Sequence, residues 1–444
     1  MSSKDTIAAI ATPPGKGGIG VIRLSGSGAI NIATLLSGIE FTPRKAHYVQ
    51  FKDENKELID TGLVLFFPGP NSFTGEDVIE LHGHGGPLVQ DLLLATTIKA
   101  GARQARAGEF SERAYLNDKI DLTQAEAIAD LIDSSTQQAA RGALRSLQGE
   151  FSKKIDVLLK ELIYLRMYVE AAIDFPDEEI DFLADEKIRN SIESLQKSIA
   201  ETIHQASQGA ILRNGLRLAI AGKPNAGKSS LLNALSGYEA AIVTNVPGTT
   251  RDIISETIDI DGLPVHIVDT AGLRESDDAV EKIGIQRAHQ EIEKADHTLV
   301  VCDASNQDKH HPSISSSYCL VFNKIDLVEP ADRHDLTSVD GIDGLLVSAK
   351  TGEGLDDLRN YIKELAGLQQ SAETLFTARR RHLSALQAAE NSIGLGLQQL
   401  KLHNAGELLA DELLQAQNSL NEITGEFTAD DLLGEIFSGF CIGK

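Results

Sequence analysis

The chain has 444 residues, 42% hydrophobic and only 5% aromatic, with a formal net charge of −24, which leaves room for two to four domains with substantial cores. Acidic residues outnumber basic ones along the chain, so a strongly basic module that holds nucleic acid by charge alone is excluded, and any RNA contact must use local patches. Cys302, Cys319 and Cys441 are too few for a disulfide framework, and no basic start leads into an apolar run. A cytoplasmic protein without signal peptide or membrane span is expected.

Residues 6–11, 20–24, 46–51, 62–67 and 78–81 read as short strands, with helical patterns after Gly28 and Pro87, which predicts a small α/β domain over residues 1–118. From 122 to about 206 the pattern is almost wholly helical, with one break at Phe175-Pro176-Asp177. Helix resumes after Thr377. The stretch between, 210–370, alternates apolar strands with turns, so the economical architecture is a multidomain α/β plus all-α protein. In it an α/β domain is inserted into a discontinuous helical domain made of 119–209 and 371–444.

The inserted segment carries the chemistry. Residues 222–229 read G-K-P-N-A-G-K-S, a phosphate-binding loop after an apolar strand and before a helix. There the backbone of Asn225, Ala226 and Gly227 and the helix start at Lys228, Ser229 and Ser230 surround phosphates, Lys228 reaches the outer phosphates, and Ser229 can ligate Mg²⁺. Asp269-Thr270-Ala271-Gly272 follows a second strand, where Asp269 can hold the magnesium through water and the Gly272 N–H can sense a γ-phosphate. After a third strand comes Asn323-Lys324-Ile325-Asp326, whose last carboxylate can accept from N1–H and the 2-amino group of guanine, a donor pair that adenine lacks. Ser348-Ala349-Lys350 completes the purine pocket. Four elements in this order specify a Ras-like P-loop GTPase domain.

Switch I reads Thr244, Asn245, Val246, Pro247, Gly248, Thr249, Thr250, Arg251, Asp252, where a threonine hydroxyl can complete the magnesium shell while the γ-phosphate is present. The residue after D-T-A-G is Leu273, which cannot orient water. Glu275, Asp277, Asp278 and Glu281 follow as carboxylates able to do so, and Arg251 and Arg274 are the cations in the two switch segments. The Asn225 oxygen with switch I carbonyls would suit a monovalent cation; the plainer reading is that Asn225 stabilises the loop turn. Two basic groups, Arg103 with Arg106 and Arg113, and Arg379-Arg380-Arg381-His382, are candidates for RNA contact or for solvated helix faces.

N-A-G-K-S, P-G-T-T-R-D and D-T-A-G-L-R, the segment G-E-F-S-E-R at 108–113 and the ending F-C-I-G-K together resemble the bacterial MnmE (TrmE) family over the whole chain. The resemblance implies a folate-binding-like N-terminal domain that joins two copies into a homodimer. It also implies work with the FAD-containing protein MnmG (GidA), in a heterotetramer or larger complex, to place a carboxymethylaminomethyl group on C5 of the wobble uridine of certain tRNAs. By the same resemblance Asn225, Thr244, Val246 and Thr249 hold potassium, Ser229 and Thr250 hold magnesium, and Glu281 activates water. Arg23, Glu80, Lys119 and Lys444 hold a tetrahydrofolate derivative, 5-formyl or 5,10-methylene, and Cys441 takes part in the modification. FAD belongs to the partner. C-I-G-K has the length of a prenylation box, but its glycine and terminal lysine fit that box poorly. The alternatives are a ribosome-assembly GTPase, which would need a KH domain or second P-loop that the chain lacks, and a pure GTP-switch scaffold.

Overall fold

The computed structural model describes residues 5–174, 186–236, 255–269, 295–306, 317–333, 338–339, 342–367, 376–403, 405–425, 434, 436–440 and 443. Its chain divides into two compact units: residues 1–129, 147–167 and 410–444, and residues 130–146 and 168–409.

The first unit is built on a six-stranded sheet of β1 (Ile7–Ile10), β2 (Gly17–Ser25), β3 (His47–Lys52), β4 (Leu58–Phe67), β5 (Val78–Gly85) and β6 (Arg103–Gln104), in the order β3-β4-β5-β2-β1-β6. All neighbours are antiparallel except β1 and β6. Period-two alternation sends Ile22, Leu24, Ile79 and Leu81 into one core, covered by α1 (Ala29–Ser37) and α2 (Pro87–Lys99). It sends Arg23 and Glu80, which face each other in register, to the opposite side. That side is partly covered by α3 (Glu109–Leu116), whose Phe110 packs with Ile7, Ala9 and Ala105.

The helical run is cut into α4 (Leu122–Asp133), α5 (Gln137–Leu147), α6 (Glu150–Asp174) and α7 (Glu186–Asn214). The expected break at 175–177 lies outside the described residues, but two breaks are added to the sequence reading. Thr136 Oγ1 accepts from Ala139 N at 3.1 Å and so caps α5, and Gly149, at φ 81, follows it.

The nucleotide-binding sheet uses β7 (Leu216–Ala221), β8 (Ser255–Ile260), β9 (Leu263–Asp269), β10 (His297–Asp303), β11 (Tyr318–Asn323), β12 (Ser338–Val339) and β13 (Ile342–Leu346), in the order β12-β13-β11-β10-β7-β9-β8. The strands from β13 to β9 run parallel, with β8 and β12 antiparallel at the edges. Helix α8 (Lys228–Ser236) and α9 (Leu355–Leu365) contribute Leu231, Leu235, Leu358 and Ile362 to its core. Then α10 (Arg380–His403) packs along α7, each helix burying one stripe: Ile192, Leu195 and Ile199 on α7; Leu386, Ala389 and Ile393 on α10. Helix α11 (Gly406–Thr424) follows, and residues 436–438 are again helical.

The chain enters the nucleotide-binding segment after Arg213 and leaves it before Arg379. Both arginines donate to one oxygen, Asp130 Oδ1, at 2.7 Å each, and Asp130 is 8% exposed. Nearby, Thr136 Oγ1 donates to Gly262 O at 2.9 Å and Gln138 Nε2 to Asp261 O at 3.2 Å, gripping the β8–β9 turn.

Candidate functional site

The P-loop follows β7, the strand at which chain connections run to opposite sides of the sheet, and this is where open parallel sheets bind ligands. Asn225 is exposed and takes φ 64, Ala226 is buried, and Gly227 takes φ 91. A Cβ on Gly227 would stand 2.3 Å from Asn323 Nδ2, so only glycine permits this approach. Lys228 Nζ donates to Gly222 O at 2.8 Å and Lys223 O at 3.1 Å, which folds the lysine over its own loop. Ser229 and Ser230 are exposed in the first turn of α8, where helix polarity favours an anion and the Ser229 hydroxyl suits a hard cation.

Asn323 holds the motifs together. Its Nδ2 donates to Ala226 O at 3.0 Å, while its Oδ1 accepts from Lys324 N at 2.8 Å and Ala349 N at 3.0 Å. The buried Ser348 donates its hydroxyl to Asp326 Oδ1 at 2.7 Å, orienting that carboxylate, and Lys350 is exposed beyond it. The structure thus brings together P-loop, N-K-I-D and S-A-K as expected. Asp269 ends β9, although its side chain lies outside the described set. Thr244, Asn245, Val246, Pro247, Gly248, Thr249, Thr250, Arg251, Thr270, Ala271, Gly272, Leu273, Arg274, Glu275, Asp277, Asp278, Glu281, Cys441 and Lys444 lie outside it entirely. The sequence reading missed Asp303, whose Oδ2 accepts from Lys324 Nζ at 2.6 Å; its position at the end of an apolar strand was the available signal.

On the N-terminal sheet Arg23 Nη2 donates to Glu80 Oε1 at 2.8 Å, and the guanidinium carbon stands 5.8 Å from the Phe73 ring centre and 5.9 Å from that of Phe110. His82 Nε2 lies 3.2 Å from Glu80 Oε2. Phe73 and Gly75 belong to one loop, and a Cβ on Gly75 would lie 3.3 Å from the stem of Lys119. Arg23, Glu80 and Lys119 therefore border a single loop. A guanidinium, an ammonium, a carboxylate and an exposed aromatic edge form a donor set that fits a flat heteroaromatic ligand bearing both N–H groups and carboxylates. The C-terminal segment meets this domain: the Phe437 ring lies 6.3 Å from that of Tyr115, and Phe437 and Phe440 pack on Leu122 and Ala125 of α4. At φ 96, Gly443 is so close that a Cβ would stand 2.3 Å from Ile10 O.

In the two basic groups most of the cations already have partners within the fold. Arg113 is 5% exposed and bonded to Asp5, Glu76 and Glu109; Arg103 pairs with Asp5 and Glu109, and Arg106 with Glu112. Arg379 is tied to Asp130, and His382 is 2% exposed. Local carboxylates take up the charges of Arg103, Arg106, Arg113 and Arg379, and Arg380 stays exposed.

A family profile described as "MnmE helical domain" matches residues 122–441, and one described as "GTP-binding protein TrmE N-terminus" matches residues 6–119. The tRNA modification GTPase MnmE of Marinomonas sp. (strain MWYL1) is 55% identical, covering 100% of this chain and 98% of that protein. The protein of the same name from Pseudomonas paraeruginosa (strain PA7) is 56% identical with 100% of both covered. The chain belongs to the MnmE (TrmE) family. Like other members of the MnmE family it is a P-loop GTP hydrolase, and Ser229 is the described residue that fits its Mg²⁺. No helix among the described residues is long and apolar enough to cross a membrane.

Proposed function

We propose that this GTPase acts in the cytoplasm on tRNA, forming 5-carboxymethylaminomethyluridine at the wobble position together with the FAD-containing MnmG, and works as a homodimer joined through its N-terminal domain. The observation that carries the reading is the return of the C-terminal segment. Gly443 lies against Ile10, next to Ala9, whose register partner is Arg23. Cys441 and Lys444 flank that contact in the sequence.

In this reading Arg23, Lys119 and Lys444 attract the carboxylates of a tetrahydrofolate, and Glu80 accepts from its ring N–H groups. The bound folate supplies a one-carbon unit. Asn225, Thr244, Val246 and Thr249 hold K⁺ near the transferred phosphoryl group, Ser229 and Thr250 hold Mg²⁺, and Glu281 orients the attacking water. The GTP cycle then supplies a conformational step, while flavin and folate carry the carbon chemistry. The boundaries proposed for the domains are 1–118, 119–209, 210–370 and 371–444.

The test compares two activities of the same variant, hydrolysis in the purified protein and modification in the cell. Cys441→Ser should keep GTP hydrolysis and lose the modified wobble nucleoside, measured by mass spectrometry of tRNA from a complemented deletion strain. Full modification by Cys441→Ser would remove the thiol from the reaction; unchanged wobble nucleosides in the deletion strain itself would overturn the function. Hydrolysis should also run faster in K⁺ than in Na⁺ at equal ionic strength, and equal rates would remove the potassium site.

A further inference from the structure

Asp303 closes β10 at the rim of the nucleotide pocket and belongs to none of the four motifs. In the β10–β11 ladder it stands opposite Asn323, the residue that ties the motifs together. Its Oδ1 accepts from Ser305 N at 3.0 Å and Ser305 Oγ at 2.6 Å, which leaves Oδ2 for Lys324 Nζ at 2.6 Å. Both partners are partly shielded from water, with 31% of the Lys324 side chain and 24% of that of Asp303 exposed. Burial pushes the carboxyl up, but the hydrogen bonds from Lys324 and Ser305 outweigh it and hold Asp303 below the usual carboxylate range.

Lys324 is a non-glycine residue in the left-handed region, at φ 68. Its Cε lies 3.9 Å from the point that a Cβ on Gly227 would occupy, so the stem runs past the P-loop before the ammonium reaches Asp303. An untethered lysine stem samples many rotamers; one anchored at both ends is a fixed apolar ridge.

We propose that Asp303 is a positioning residue for the guanine nucleotide: by holding the Lys324 ammonium it fixes the lysine stem as one wall of the base pocket. Asp326, oriented separately by Ser348, reads the edge of the base. The two acidic residues thus divide the work, one acting through Lys324 on the face of any purine and the other on the donors that distinguish guanine. An ion pair this accessible to water contributes little to folding, so its loss belongs in nucleotide retention rather than in thermal stability.

The experiment uses the full chain and fluorescent GDP. Asp303→Asn should raise the GDP dissociation rate on the order of tenfold, as losing a hydrogen bond between charged groups does. Asp303→Glu should recover part of the loss, and the melting temperature of the nucleotide-free protein should stay unchanged. Inosine diphosphate, which lacks the 2-amino group, should be lost by the same factor as GDP, because the lysine wall does not touch that group. In a Lys324→Ala background Asp303→Asn should add nothing. An unchanged dissociation rate, a rate increase matched by loss of stability in the nucleotide-free protein, a collapse of the preference for GDP over inosine diphosphate, or additivity with Lys324→Ala would each overturn the proposal.

Discussion

At the scale of single residues, the pocket depends on atoms that have no freedom to move. Ser348 is fully buried and gives its only proton to Asp326 Oδ1 at 2.7 Å. Ser348→Ala should therefore leave the P-loop intact but weaken GDP binding about tenfold, as expected for a lost hydrogen bond to a charged group, and equilibrium titration with fluorescent GDP checks it. Glu281→Ala tests the hydrolytic step: binding should persist, because Gly227 and Asn323 are untouched, and turnover under saturating GTP should fall by orders of magnitude. Normal turnover would send the water-orienting role to Glu275, Asp277 or Asp278. The four motifs were legible because phosphate and guanine chemistry each demand particular residues at fixed spacing. Asp303 was not, since an aspartate ending an apolar run looks like any strand terminus until the β10–β11 register sets it beside Asn323.

At the scale of elements, α3 is fastened by charge as much as by packing. Glu109 is 2% exposed and sits between Arg103 and Arg113; burial pushes its carboxyl up, yet hydrogen bonds from Arg103, Arg106 N and Arg113 hold it below its ordinary value of 4.5. Its stabilisation is present above that value and lost as the pH falls through the folded one. Arg113→Met removes a cation that three carboxylates share and should destabilise the N-terminal unit by about 3–5 kcal/mol, read as a lower denaturant midpoint. A gain in stability would show that desolvation outweighs the network. The strands of this unit were legible from alternation of apolar and polar residues. The two-residue β6 was too short to leave a pattern, and the break between α4 and α5 hid in Ser134, Ser135 and Thr136, which resemble a helix surface until Thr136 is seen to cap. Arg103, Arg106 and Arg113 stayed open for a related reason, since sequence cannot tell a cation waiting for RNA from one already claimed by a carboxylate.

At the scale of the whole molecule, the two units should answer acid differently. His266 donates from Nε2 to Asn214 O at 2.9 Å and accepts from Thr257 at Nδ1. His297 bridges Ser317 and Tyr361, and burial holds both imidazoles below their ordinary value of 6.5. The unfolded chain then binds protons that the folded one refuses, so the nucleotide-binding unit loses stability as the pH falls below about 6.5. The first unit should hold until the pH falls below 4.5 and through the depressed value of Glu109. Calorimetry across this range should show the second unit's transition moving first; identical shifts of both would contradict it.

The joint at Asp130 gives this architecture an asymmetry of another kind. Both chain crossings of the inserted segment end on one oxygen atom, so the module shares a vital part with its host and is not a cassette with two inert connectors. Excised between 215 and 367 it would keep its sheet and its motifs while leaving both arginines behind. Transplanted between other helices, it would arrive without the acid that grips its entrance and exit together. For this chain, what is inherited as a unit is the domain together with the aspartate outside it.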